Sequence, residues 1–92
     1  MRVVYLATTE GDLRWFKRYY TQVFPEGRKN ADAHFLLTQK LLRDNPLIGQ
    51  VIESVPGARE YQVPRTPFSF VYRVRQDRVE VLRVLDKRAG AH

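Results

Sequence analysis

Two periods of apolar side chains run along the chain, and the changes between them divide it into elements. Residues 2–7 (RVVYLA) are β-branched and aromatic-rich, and predict a strand. From Thr9 the spacing lengthens. Leu13, Phe16, Tyr20 and Val23 lie 3, 4 and 3 residues apart, which is one face of a helix reaching to about Phe24. Thr9 and Asp12 resemble a capping box, with aspartate in place of the usual glutamate. Pro25, Glu26 and Gly27 break the pattern. A second helix is predicted over 28–43, with Ala33, Leu37 and Leu41 in one row and Phe35 and Leu36 beside it. Asn45-Pro46 stops it. So short a link makes the two helices an antiparallel hairpin.

A loop follows, punctuated by Gly49 and Pro56-Gly57, with a short turn at Ile52 and Glu53. Three strands are predicted next, over 59–63, 68–75 and 78–85, joined in the last pair by Gln76-Asp77. That turn lacks the glycine that two-residue turns favour. Pairing Arg75 with Arg78 sets Val74 against Val79, Tyr72 against Val81 and Phe70 against Arg83. One face then carries Phe68, Phe70, Tyr72, Val74, Val79, Val81 and Leu85, and is expected to lie on the helices. The other carries Ser69, Val71, Arg73, Arg75, Arg78, Glu80, Leu82 and Val84. A slip of one residue would exchange the faces. The order β-α-α-β-β-β argues an α+β fold: a small twisted antiparallel sheet packed against a helical hairpin.

The 92 residues form one domain, spanning 1–92, and 43% hydrophobic content is that of a globular chain. There is no cysteine, which excludes disulfides and thiolate metal sites and permits a reducing compartment. No apolar run reaches membrane-spanning length, and the first nine residues are too short and strand-like for a signal peptide. The expected location is the cytoplasm, with no membrane partner.

Charge adds the first functional hint. Residues 58–88 hold eight cations, Arg59, Arg65, Arg73, Arg75, Arg78, Arg83, Lys87 and Arg88, against Glu60, Asp77, Glu80 and Asp86. That is +4 of the net +6, and residues 1–57 supply eight cations and six anions for the other +2. A basic sheet of this kind suits an anionic partner, nucleic acid or an acidic protein segment. Arg73, Arg75 and Arg78 read either as a binding surface or as a solvated strand face. Arg83, opposite Phe70, reads as structural, and Arg59 as a tie between loop and sheet. Lys87 and Arg88 lie beyond the last strand, where side chains are free to engage a target. Trp15 and Tyr19 sit one helical turn apart beside the core stripe, forming an apolar strip that suits a partner. His34 has no neighbour at ligand spacing, so no metal site is expected, and no cofactor. Neither a phosphate-binding glycine loop nor a Ser-His-Asp set is present in the pattern.

The order of these pieces carries a resemblance. It includes Asp12-Leu13 early in the first helix, Asn45-Pro46 with Gly49 after the second, and Arg59 opening the next strand. It continues through Thr66-Pro67-Phe68, Val71-Tyr72-Arg73-Val74, Asp77-Arg78-Val79 and Val81-Leu82-Arg83-Val84. Over nearly the whole chain this resembles the RelE/ParE superfamily of type II toxins from toxin–antitoxin pairs. The resemblance implies one of two activities. The RelE-like branch cleaves mRNA on the ribosome with basic residues on the middle strands and an arginine after the last. The matching positions here are Glu60, Gln62 and Ser69, and only Arg88 fits; no tyrosine follows it before His92. A ribonuclease of this sort would draw on Arg88, Lys87, Arg83 and Arg73. The ParE-like branch poisons DNA gyrase. The segments 63–68 (VPRTPF) and 81–85 (VLRVL) resemble it better, although many members have histidine where Asp86 stands.

The ParE-like branch is therefore favoured. It implies a growth-inhibiting, plasmid-stabilising toxin that binds gyrase through Lys87, Arg88, Arg73 and Arg75. A cognate antitoxin would contact Trp15, Tyr19 and Arg78, laying an extended or helical segment across the helices and the sheet edge. Operator DNA would be met only through that antitoxin. The alternatives are an mRNA endonuclease acting with the ribosome, or a degenerate member that only binds its antitoxin.

Overall fold

The structure, a computed structural model, describes residues 1–88, so His92 lies outside the described residues. The chain runs β1 (Arg2–Tyr5), a 3-10 turn (Ala7–Thr9), α1 (Glu10–Arg18), a π-helical turn (Tyr19–Val23), a second 3-10 turn (Pro25–Gly27) and α2 (Arg28–Asp44). Then come β2 (Gln50–Val51), β3 (Ala58–Gln62), β4 (Phe68–Val74) and β5 (Arg78–Asp86). This is the expected α+β architecture. The strands lie in the order β1-β5-β4-β3-β2. The meander from β2 to β5 is antiparallel, and β1 joins β5 in parallel. The sheet is thus mixed at one edge, because the helical hairpin carries the chain from β1 across one face. Register sets Val3 beside Val79 and Tyr5 beside Val81, so β1 extends the apolar face of β5.

The core lies between that face and the hairpin. Phe68, Phe70, Tyr72, Val79, Val81 and Val84 are buried there with Phe16, Tyr20, Ala31 and Leu42. Phe16 sits 4.9 Å from both Phe35 and Phe68, and Phe35 sits 4.9 Å from Phe70, in tilted or edge contacts that aromatic quadrupoles favour. Tyr5, whose hydroxyl is pushed up in pKa by burial, donates to Gln39 at 2.6 Å.

Three expectations are corrected, each for a local reason. The inward row of α2 is Ala31, Phe35, Thr38 and Leu42, while Ala33, Leu36 and Leu37 face out, the leucines 49% and 58% exposed. Both rows have helical spacing. The aromatic contacts of Phe35 select the first, and Thr38 is tolerated inside because its hydroxyl donates to the His34 carbonyl at 2.7 Å. Secondly, Val23 is exposed and Tyr19 is buried. The π-helical turn, closed by the Phe24 amide on the Tyr19 carbonyl at 2.8 Å, inserts a residue and rotates the face that follows.

Thirdly, Tyr72 pairs with Val81 but Val71 pairs with Arg83, so Leu82 is the extra residue of a β-bulge. Beyond it Phe70 faces Val84, not Arg83. Val84 is buried, not outward, and Arg83 is exposed. The bulge also brings Asp86 opposite Phe68, on the helix side of the sheet.

Candidate functional site

The cations of β4 and β5 are not scattered over a solvated face. Arg73, Arg75 and Arg78 converge on one carboxylate, Glu80, whose side chain is only 7% exposed. Arg73 Nε donates to it at 2.7 Å and Arg78 Nε at 2.9 Å, while Arg75 Nε lies 3.5 Å away. The hydrogen bond from Arg73, joined by that from Arg78, holds the Glu80 carboxyl below the usual glutamate range despite its burial. Arg78 also binds Asp77 at 2.7 Å, and Arg2 reaches Asp77 at 3.6 Å. The sequence signals for this cluster are the pairing of Arg73 with Glu80 across the strands and the i, i+2 spacing of Arg78 and Glu80.

A second cluster closes the end of β5. The bulge carries Asp86 toward α1, where Trp15 Nε1 donates to it at 2.9 Å. Arg88 adds its backbone amide at 3.1 Å, Nε at 3.1 Å and Nη2 at 2.9 Å, and its Nη1 donates to the Tyr19 hydroxyl at 2.7 Å. Burial alone would raise the Asp86 pKa; the hydrogen bonds from Arg88 and Trp15 outweigh it and lower it to about 2. Arg88 and Tyr19, placed on separate surfaces by the sequence, are thus one network. Arg88 is not a free side chain and Tyr19 is not on an exposed strip. Trp15 stays half-buried, with the Arg18 guanidinium 5.3 Å over its ring.

Arg83 is tied to α1 as well. Its guanidinium grips Asp12 in a two-pronged pair at 2.7 and 2.9 Å, and Asp12 also accepts the Val84 amide at 2.9 Å. Arg59 ties loop to sheet as expected, donating to the carbonyls of Leu47 and Gly49 at 3.1 and 2.8 Å. By contrast Arg14, Lys17 and Arg18 have no carboxylate partner among the described residues.

The positions that the ribonuclease branch would use line one groove of about 570 Å³ on the open face of β2, β3 and β4. Its walls are Ile48, Gln50, Glu60, Tyr61, Gln62, Ser69 and Lys87. Lys87 is the one cation among them, and it pairs with Glu60 at 2.9 Å. Arg73, Arg83 and Arg88 point into the three ion-pair clusters, so the sequence's ribonuclease set is not assembled there. His34 Nδ1 lies 2.9 Å from the Asn30 carbonyl, and no group of three potential metal ligands occurs among the described residues.

Two features escaped the sequence reading. Tyr72 Oη donates to the Pro46 carbonyl at 2.8 Å and accepts the Gly49 amide at 2.9 Å, so it fastens the loop after α2 from beneath. That loop holds Leu47 and Ile48 out to solvent, adding to the exposed apolar positions Leu36 and Leu37 of α2. Only the Pro-Leu-Ile-Gly spacing hinted at an apolar loop.

A family model described as the ParE toxin of type II toxin–antitoxin systems, parDE, matches residues 3–89. The chain belongs to the ParE toxin family. As a ParE-family protein it is the toxin of a type II toxin–antitoxin system, which is the branch the sequence favoured. Among solved structures, the chromosomal ParDE TA system from P. aeruginosa is similar at a TM-score of 0.70 and 28% identity, covering 91% of this chain and 92% of that one. No curated protein matches. No helix among the described residues of this ParE-family chain is long and apolar enough to cross a membrane.

Proposed function

We propose that this toxin poisons DNA gyrase in the cytoplasm and is held inactive by a cognate antitoxin, acting by binding rather than by phosphodiester cleavage. The observation that carries the reading is the groove over β2, β3 and β4. RNA cleavage needs a base at the 2′-hydroxyl and cations for the charge that develops on phosphorus. At the positions where the ribonuclease branch sets such cations, this groove offers Glu60, Gln62 and Ser69, and its lysine is neutralised by Glu60. Gyrase itself enters through the family, whose fold hosts more than one activity.

The antitoxin is assigned to four of the apolar positions that the fold leaves outside: Leu36 and Leu37 on α2, and Leu47 and Ile48 on the fastened loop. An amphipathic segment laid along these residues would bury surface that is costly to leave in water. Trp15, on α1 against Asp86, remains a separate candidate for that contact. Arg78 and Tyr19, already engaged inside the toxin, contribute to it less directly.

The test pairs two assays on the purified toxin. Gyrase supercoiling of relaxed plasmid should be inhibited, or cleaved DNA trapped, while ribosome-bound mRNA stays intact. Cut mRNA beside unaffected gyrase would overturn the reading and return the groove to catalysis. Adding antitoxin should restore supercoiling.

A further inference from the structure

Register places four arginines on one face of three adjacent strands. Arg2 of β1 is the partner of Arg78 of β5, and the Arg75 amide following β4 donates to the Arg78 carbonyl at 2.8 Å. Arg73 stands one step inward, opposite Glu80. With neighbouring strands ~4.8 Å apart, the row of Arg2, Arg78 and Arg75 spans roughly 10 Å. Against four guanidiniums stand Glu80 and Asp77, which leaves a local net charge of 4 − 2 = +2. Glu80 lies beneath the array, too buried to meet a ligand, so it aligns the guanidiniums instead of competing for what they bind. Arg73 and Arg75 turn Nε toward it, and their terminal nitrogens make no hydrogen bond among the described residues.

We infer that this face is a phosphate-binding surface that engages the backbone of duplex DNA directly. Arginine forks grip phosphate in two-pronged fashion. Besides its arginines, this face of the three strands carries Val4, Ser69, Val71, Glu80, Leu82 and Leu85, with no aromatic ring on which an unpaired base would stack, so a single strand is the poorer fit. Charges fixed on three strands meet a regular array of phosphates with little ordering cost, whereas a flexible acidic segment must itself be ordered. The toxin then touches DNA without an antitoxin between them. That this DNA is the segment held by gyrase rests on the proposed function; the surface does not.

The experiment is fluorescence anisotropy of a labelled duplex of arbitrary sequence, titrated with purified toxin over a series of salt concentrations. The variants are R73Q/R75Q and, as a control of equal charge change on α1, K17Q/R18Q. Each phosphate contact contributes about 0.9 to the slope of log affinity against log salt. The R73Q/R75Q slope should therefore be shallower by about two, with at least about a tenfold loss at low salt, and the K17Q/R18Q slope should stay near the wild-type value. If R73Q/R75Q does not fold, R75Q alone carries the test with a change of about one. Equal losses in both variants, or no salt-dependent duplex binding by the wild type, would overturn the proposal. So would tighter binding of poly-glutamate than of duplex at equal charge concentration, lost in R73Q/R75Q, which would assign the face to an acidic protein. Inhibited gyrase with an unchanged R73Q/R75Q slope removes this surface and keeps the gyrase reading. Duplex binding with unaffected gyrase does the reverse.

Discussion

Arg88 turns back onto Asp86, two residues before it, and fills both carboxylate oxygens with its Nε and Nη2 atoms. Trp15 of α1 completes the pair, so the end of β5 is pinned to the hairpin at a carboxylate that is 5% exposed. The sign of its pH dependence follows. Asp86 is lowered from 3.8 to about 2, so its contribution is complete above the unfolded value near 4 and is lost as pH falls through about 2. Chemical denaturation at pH 7 and at acid pH should show D86N less stable at neutral pH, by on the order of 2 kcal/mol with screening at the exposed guanidinium reducing it. The same variant should lose less stability than wild type between pH 4 and 2. An unchanged acid slope would show that the network does not hold Asp86 ionised.

Asp12 accepts three hydrogen bonds and Arg83 donates two of them, so the two partners are unequal. Arg83 is half exposed, and its removal costs about what a surface pair is worth, under ~1 kcal/mol. Removing Asp12 also leaves the Val84 amide without its partner and takes an acid from the first turn of α1. D12A should lose about 2 kcal/mol or more in urea unfolding, clearly more than R83A. Equal losses would mean that the Val84 contact contributes nothing.

These two clusters mark where the sequence was readable and where it was not. Alternation through Phe68, Phe70, Tyr72 and Val74 and through Val79 and Val81 gave the meander, its turn and its core face, because period-2 patterning and register are local. Leu82 carries no sign of a bulge, and one extra residue reversed the faces of everything after it. That placed Val84 inside, Arg83 outside and Asp86 where a carboxylate needs partners. On α2, apolar residues occupy two adjacent stripes, and only the tertiary contacts of Phe35 decide between them. Charge counting failed differently. It found the excess in the sheet, but Glu80 gathers Arg73, Arg75 and Arg78 while Asp12, Glu60 and Asp86 each take one cation, so most of the sheet's cations are paired within the fold.

Gly49 stands under the Tyr72 hydroxyl with no room for a side chain. A Cβ there would meet Tyr72 Oη at 2.6 Å and the Glu60 carbonyl at 2.9 Å. G49A should destabilise by about 1–3 kcal/mol, since both neighbours are held and the Glu60 contact is backbone. Y72F leaves the Gly49 amide and the Pro46 carbonyl unpaired, at about 1–3 kcal/mol. Because Y72F removes one of the atoms that G49A would strike, the double variant should lose less than the sum of the two. Thermal melts of all four proteins measure this coupling, and strict additivity would place the loop elsewhere.

Leu36 and Leu37 offer the most direct separation of fold from function. Being half or more exposed, they contribute little to the toxin's own core, and L36S/L37S should change its stability by less than about 0.5 kcal/mol. If the antitoxin covers them, the same change removes two buried leucines from the complex, each worth about 1.5 kcal/mol or more. Calorimetric titration with the antitoxin should show affinity at least about a hundredfold weaker, with the heat-capacity change of binding reduced in magnitude. In a cell the variant should escape neutralisation and stay toxic beside its antitoxin. Unchanged affinity in a folded variant would move the antitoxin off α2 and leave the Leu47–Ile48 loop as its remaining apolar contact.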